Sequence, residues 1–287
     1  MNHLLSPNKV IAGAKYITAE AATISSADCL VNILIAPSQL VYMVAEITSK
    51  KVIMLQPYQF SRITSAGEWH KSIDSVFGTD PWLNRIVAKR KIGVFSSSFT
   101  IVPVAFDSEN SRSTLLKANC DLAEDDIIFS DANAGKEFRL LYALSPDIVQ
   151  QSTIYAGSTI EHSLTSLIHY LLKTCDEAEN EALFVYVQSA SMQVILIRNK
   201  SLHFCNSFSY QTPEDFMYHL LFVCKQLKLD TELISLTLMG EVMPESTLYN
   251  LLVKYIRKIQ FTKPNNGFLF SDDYPLPPHF FFNLFCL

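Results

Sequence analysis

Glycine is scarce in this chain, 8 of 287 residues, roughly 3% where about 7% is usual. Loops that bring backbone N–H groups close to a phosphate therefore have few places to form. No G-x-x-x-x-G-K-[ST], G-x-S-x-G or H-E-x-x-H pattern occurs, which removes P-loop, nucleophile-elbow and zincin chemistry. Positive charge is equally thin. The net charge is -5 and the one compact basic run is Lys89-Arg90-Lys91, where duplex nucleic acid requires a broad basic field. The run reads as a solvated stretch before a strand, and no nucleic-acid partner is expected. The cysteines Cys29, Cys120, Cys175, Cys205, Cys224 and Cys286 are dispersed without C-x-x-C spacing. Most sit in apolar runs as small hydrophobes do, a pattern that suits a reducing cytoplasm. No stretch approaches the roughly 18 uninterrupted apolar residues of a membrane span, and the N-terminus lacks a signal-type apolar core. A cytoplasmic protein without membrane association is the expectation.

What is present is apolar material in quantity, 49% hydrophobic against 18% charged residues, enough to build a core in each of two domains. The runs "CLVNILIA", "LVYMVAEI" and "KVIMLQPY" follow one another on short connections, as antiparallel hairpin strands do. Next, "AGEWHKSIDSVF" places Trp69, Ile73, Val76 and Phe77 at helical spacing, and "KIGVFSSSFTIVPVAF" reads as a strand pair. The second half repeats the order with "EALFVYVQ", "MQVILIRN" and "SLHFCNSFSY" as strands, and then "TPEDFMYHLLFVCKQLKL" as a helix. Its start is well marked. Thr212 can cap, Pro213 suits the first helical position, and Glu214 and Asp215 oppose the positive end of the dipole. "SLTLMGEV" is then a strand and "ESTLYNLLVKYIRKI" a helix. Between the halves, "DDIIFSDAN", "FRLLYALS" and "STIYAG" are strand candidates, followed by "IEHSLTSLIHYLLKTC" as a helix. The acidic segment "CDEAENEA" is the best hinge.

Two copies of three antiparallel strands, helix, strand, helix predict an α/β protein with a duplicated ribonuclease-H-like (actin-like ATPase) fold. The expected division is a partly loose segment 1–27, a first subdomain 28–178 and a second 179–287. The stretch from "ALFVYVQSASMQVILIRNKSLHFC" through "NSFSYQTPEDFMYHLLFV" to "SLTLMGEV", with the closing "HFFFNLFCL", resembles the Bacteroidetes family of uncharacterised proteins DUF3822. The resemblance runs from about Leu30 to the C-terminus and is most specific in "NSFSYQTPEDFMYHLLFV". It implies an actin-like fold, a cytoplasmic setting and a bacterial origin, and it brings no activity and no catalytic residues with it.

In an actin-like ATPase the first hairpin turn of each half carries an Asp, which organises Mg²⁺ and its water, and glycines that admit phosphate. Here the two turns read Ala36-Pro37-Ser38-Gln39 and Gln188-Ser189-Ala190-Ser191. Neither holds a carboxylate or a glycine, and Pro37 removes a backbone donor. No hydrolysis, no cofactor and no metal are expected. A residual nucleotide site would use Ser189, Ser191, Gly240 and Glu241, because "LMGEV" puts Gly240 after a strand and before a helix; the plain reading of that glycine is a turn that ends a strand. Two-metal nuclease chemistry needs converging carboxylates, and "VNILIA" and "FVYVQ" carry none. Asp125, Asp126 and Asp131 read as a solvated strand edge, and His162 and His169 as structural or surface histidines. The tail "PLPPHFFFNLFCL" is expected to complete a core as a strand or docked segment, with an exposed partner-binding patch as the alternative.

Three functions stay open: a non-catalytic scaffold or adaptor with an unidentified protein partner, a nucleotide-binding regulator without turnover, and an enzyme using Asp131 or His162.

Overall fold

The computed structural model describes residues 10–60, 65–132, 136–153, 158–175, 180–262, 267–271, 274, 276–277 and 279–287. Residues 1–9 of the opening segment and 176–179 of the expected hinge lie outside them. Two compact units are present, Met1–Ser166 with Gly267–Pro275 and Leu287, and Leu167–Asn266 with Leu276–Cys286.

In the first unit, β1 (Val10–Ala12) and β2 (Tyr16–Ile17) precede β3 (Cys29–Ala36), β4 (Gln39–Glu46) and β5 (Val52–Phe60). Then follow α1 (Ala66–Thr79), β6 (Lys89–Val94), β7 (Phe99–Pro103), α2 (Glu109–Lys117), β8 (Ile127–Asp131) and β9 (Phe138–Leu144). The segment closes with α3 (Pro146–Thr153), β10 (Ser158–His162) and the start of α4 (Ser163–Thr174). The main sheet runs β1-β5-β4-β3-β6-β10, with β2 also on β5. β4 pairs antiparallel with both β3 and β5, whereas β6 lies parallel to β3 and β10 parallel to β6. β3 and β4 are buried almost throughout, which is why they read as continuous apolar runs rather than alternating ones. The crossover from β6 to β10 carries a second sheet, β7-β9-β8, with α2 against it.

The second unit contains β11 (Glu181–Val187), β12 (Ser191–Arg198), β13 (Ser201–Ser209), α5 (Pro213–Gln226), β14 (Ser235–Gly240), α6 (Thr247–Leu252), β15 (Lys258–Phe261) and α7 (Phe282–Cys286). Its sheet order is β13-β12-β11-β14-β15, antiparallel across β13, β12 and β11 and parallel from β11 to β15. The order and the strand senses match β5-β4-β3-β6-β10, so the expected duplication is present. α5 begins as the residues direct. The Thr212 hydroxyl accepts from Asp215 N–H at 3.1 Å, the Asp215 carboxylate accepts from Thr212 N–H at 3.1 Å, and Pro213 opens the helix.

Three local expectations are corrected. Residues 158–162 form β10, with the helix beginning only at Ser163; the parallel ladder to β6 claims Ile160 for the sheet. Of "STIYAG", Ser152 and Thr153 end α3 and 154–157 lie outside the described residues. The helix over 245–259 is limited to Thr247–Leu252, because Lys258–Phe261 pairs in parallel with β14. The Phe-rich tail completes a core as a docked segment, ending in the short helix α7 with Phe281, Phe282, Leu284 and Phe285 buried. The opening segment supplies β1 and β2, both paired with β5.

Candidate functional site

At the carboxyl end of β11 the hairpin to β12 closes where Gln188 N–H donates to Ser191 O at 2.9 Å, leaving Ser189 and Ala190 as a two-residue turn. An uncharged network stiffens it from below. The Ser191 hydroxyl donates to Gln188 Oε1 at 3.0 Å, and Gln193 Nε2 lies 3.3 Å from both Gln188 Oε1 and Ser191 Oγ and 3.2 Å from Ser207 Oγ. The Tyr210 hydroxyl donates to Gln188 O. Gln188 and Gln193 are buried, and Ser189 is exposed at the tip. Burial, and then the neighbouring Glu241, push the Tyr210 phenol up to about 12, so it stays a neutral donor.

Gly240 and Glu241 stand at the same end of this sheet, since Gly240 is in register with Val187. Gly240 has φ +87°, and a Cβ there would lie 2.1 Å from Val187 O. Its N–H donates to His279 O at 2.7 Å, and Glu241 N–H donates to Val187 O at 2.8 Å. The His279 ring donates from Nε2 to Val242 O at 2.7 Å and packs on Phe261 at 4.3 Å between centroids. Burial holds its pKa below the usual histidine range. The structure thus gathers Ser189, Ser191, Gly240 and Glu241 at one sheet end, with both backbone donors of the Gly240–Glu241 step already bonded within the protein.

The corresponding turn of the first unit is built on β3 and β4. Ala36 pairs with Gln39, Ala36 O accepts from Trp69 Nε1 at 3.0 Å, and Ser38 O accepts from Phe60 N–H at 2.8 Å. The Gln39 side chain is buried and accepts from Gln59 Nε2 at 3.2 Å.

A second polar centre lies where β8 and β10 meet the start of α4. Asp131 Oδ2 accepts from the His162 backbone N–H and from the Thr165 hydroxyl, each at 2.7 Å. The half-buried carboxyl is pushed up to about 6 by burial, against the lowering effect of these bonds. His162 is the last residue of β10 and fully buried; its Nδ1 accepts from Leu164 N–H at 3.2 Å, and its Nε2 lies 2.9 Å from Ser96 O and 3.2 Å from Ser96 N. Burial lowers its pKa to about 4. Asp131 is therefore an anchor for the helix start rather than a solvated strand edge. His169 is exposed and shares no centre with His162.

The two residues oppose each other as pH changes. The raised Asp131 favours the folded state at low pH and loses that contribution as pH climbs from about 4 to 6, whereas depressed His162 loses its contribution as pH falls from about 6.5 to 4. The wild-type stability profile is consequently expected to be shallow across this window. Asp131→Asn should unmask the histidine, giving stability that drops steadily on acidification from pH 6.5 to 4, as read by urea unfolding at stepped pH.

One buried carboxyl escaped sequence reasoning. Asp80, at the end of α1, accepts from the hydroxyls of Tyr42 at 2.7 Å and Tyr58 at 2.6 Å and from Trp82 N–H at 2.9 Å. Nothing in the local sequence signals this, since the two tyrosines lie on β4 and β5. Among the described residues no group of three or more His, Cys, Asp or Glu side chains is placed to hold a metal ion, and no helix is long and apolar enough to cross a membrane.

A family model described as a protein of unknown function (DUF3822) matches residues 18–259. A Bacteroides thetaiotaomicron protein with an actin-like ATPase fold and unknown function, known from a crystal structure at 1.85 Å resolution, aligns with TM-score 0.71 and 19% identity, over 83% of this chain and 91% of that one. A chain of the PilM–PilN type IV pilus biogenesis complex aligns with TM-score 0.54 and 11% identity, over 90% of this chain and 97% of that one. No curated protein matches the sequence. The likeness to these structures establishes the actin-like ATPase fold and leaves function to the site itself.

Proposed function

Because the chain belongs to the DUF3822 family of proteins of unknown function, with an actin-like ATPase fold, we propose that it acts as a non-catalytic scaffold or adaptor whose nucleotide site is degenerate. The observation that carries this reading is the pair of hairpin turns. Ala36-Pro37-Ser38-Gln39 and Gln188-Ser189-Ala190-Ser191 lack the carboxylate and the glycines that metal-assisted phosphate chemistry requires. In the second unit the surrounding polar groups also satisfy one another: Ser191 is bonded to Gln188 and Gln193, Gly240 N–H to His279 O, and Glu241 N–H to Val187 O. A phosphate or base would have to displace these bonds. The PilM–PilN complex is a case in which a chain of this fold operates in an assembly with another protein, and it favours a protein partner here.

Thermal unfolding with and without millimolar Mg-ATP or Mg-ADP tests the proposal. The scaffold reading expects no change in midpoint. A ligand present at 100 times its Kd would stabilise by about 2.7 kcal/mol and raise the midpoint by several degrees; such a shift would favour the nucleotide-binding regulator and would be traced through Ser191→Ala.

A further inference from the structure

The two sheets share one strand order, yet their antiparallel edges end differently. In the first unit the outer side of β5 is paired by β1 and β2. Its counterpart in the second unit, β13, has β12 on one side and, among the described residues, no strand on the other. β13 is 9 residues long and contains no Lys, Arg, Asp, Glu or Pro, the residues by which exposed edges are commonly protected. Its irregularity lies at the Leu202–Phe204 end, so the ladder is regular from Phe204 to Ser209.

The direction of the backbone groups follows from the ladder. Tyr210 N–H donates to Ala190 O, and alternation along an antiparallel pair then turns the N–H and C=O groups of Cys205, Ser207 and Ser209 away from β12. Consistent with this, Ser207 N–H takes the Asn206 side-chain oxygen of its own strand at 2.8 Å. Beside the edge, Phe208 stacks on His219 of α5 at 5.2 Å, and Tyr218, 66% exposed, stacks on Phe222. An open ladder is thus flanked by aromatic surface.

We propose that β13 pairs antiparallel with β13 of a second copy of this chain, about a twofold axis at Ser207, joining the two five-stranded sheets. In this register Ser207 faces Ser207 and Cys205 faces Ser209 of the second copy, so the outward groups of Cys205 and Ser209 gain strand partners and Ser207 N–H exchanges the Asn206 side-chain oxygen for Ser207 O of the second copy. Charge selects the second copy as occupant and the antiparallel sense. Lys200 is exposed just before β13, and Glu214 and Asp215 are exposed just after it. An antiparallel copy brings Lys200 to the start of the other copy's α5, where those carboxylates stand, and it does so twice by symmetry. A parallel copy would set like charge beside like. The strand itself brings no charged pair into opposition. This pairing is independent of the scaffold function and of nucleotide binding.

Sedimentation velocity of the full chain, from about 1 to 200 µM, reads the association. A reversible dimer is expected. Ser207→Pro removes an outward donor and leaves the backbone ladder to β12 in place, losing only the Gln193 side-chain bond on that side, and should weaken the dimer at least about tenfold, with an unchanged circular-dichroism spectrum. Lys200→Glu and Glu214→Lys should each weaken it at least about tenfold, and the double charge exchange should restore it. The exchange decides the matter even where the proline variant is poorly folded. A wild-type chain that stays monomeric to 200 µM, or a dimer indifferent to both the proline and the charge reversals, overturns the proposal.

Discussion

Gly240→Ala is expected to cost about 4 kcal/mol or more and to leave little folded protein, an effect large for a single methyl group. Two independent constraints meet at this residue. Its φ of +87° lies in the region that side chains rarely occupy. The added Cβ would also fall 2.1 Å from Val187 O and 2.9 Å from Val187 N. Relief by movement of Val187 is closed off, because that strand end is paired with Met192 on one side and with Gly240 itself on the other, and Val187 O holds Glu241 N–H. Gly78→Ala supplies the control. That glycine sits within α1 with open space where its Cβ would go, so the change should be neutral or stabilising by up to about 1 kcal/mol. Urea unfolding of both variants checks the contrast, and a Gly240→Ala loss below about 1 kcal/mol would contradict the packing described.

Asp80→Ala is expected to lower stability by about 3–5 kcal/mol. It strips the acceptor from two tyrosine hydroxyls and from Trp82 N–H, and a buried donor left without a partner costs roughly 1–3 kcal/mol each. The penalty is full for Tyr42, whose side chain is completely buried, and smaller for half-buried Tyr58. Tyr58→Phe alone should therefore cost only about 1 kcal/mol. The mechanism also predicts coupling: in a Tyr42→Phe, Tyr58→Phe background, Asp80→Ala should cost markedly less, since fewer orphaned donors remain. Equal cost in both backgrounds would show that Asp80 acts through some other contact.

The strand order was legible because both halves of the chain write it with local signals. Buried apolar runs on short connections marked the hairpins, and Thr212-Pro213-Glu214-Asp215 marked the start of α5, where the structure adds the return bond from Thr212 N–H to the Asp215 carboxylate. Where local periodicity was ambiguous, tertiary pairing decided. Ile160 continued a helical pattern yet was taken by the parallel ladder with β6. Ile259 fitted the spacing of the preceding helix and went to the edge strand β15. At the candidate site, the composition of the turns was readable directly, but the partners that satisfy them were not. His279 reaches Gly240 from the far end of the second unit's sequence, and the Tyr42–Asp80–Tyr58 cluster joins two strands to a helix end. Asp131 looked like a surface carboxylate because its burial comes from β10 and α4, which the sequence does not place beside it.

The most direct test of the proposal that the hairpin turns do not support phosphate chemistry is phosphate release from Mg-ATP under single-turnover conditions, with the protein in excess over nucleotide. The account predicts a rate indistinguishable from that of buffer. Release above background that disappears in Ser191→Ala would show a working site in these turns and would contradict it.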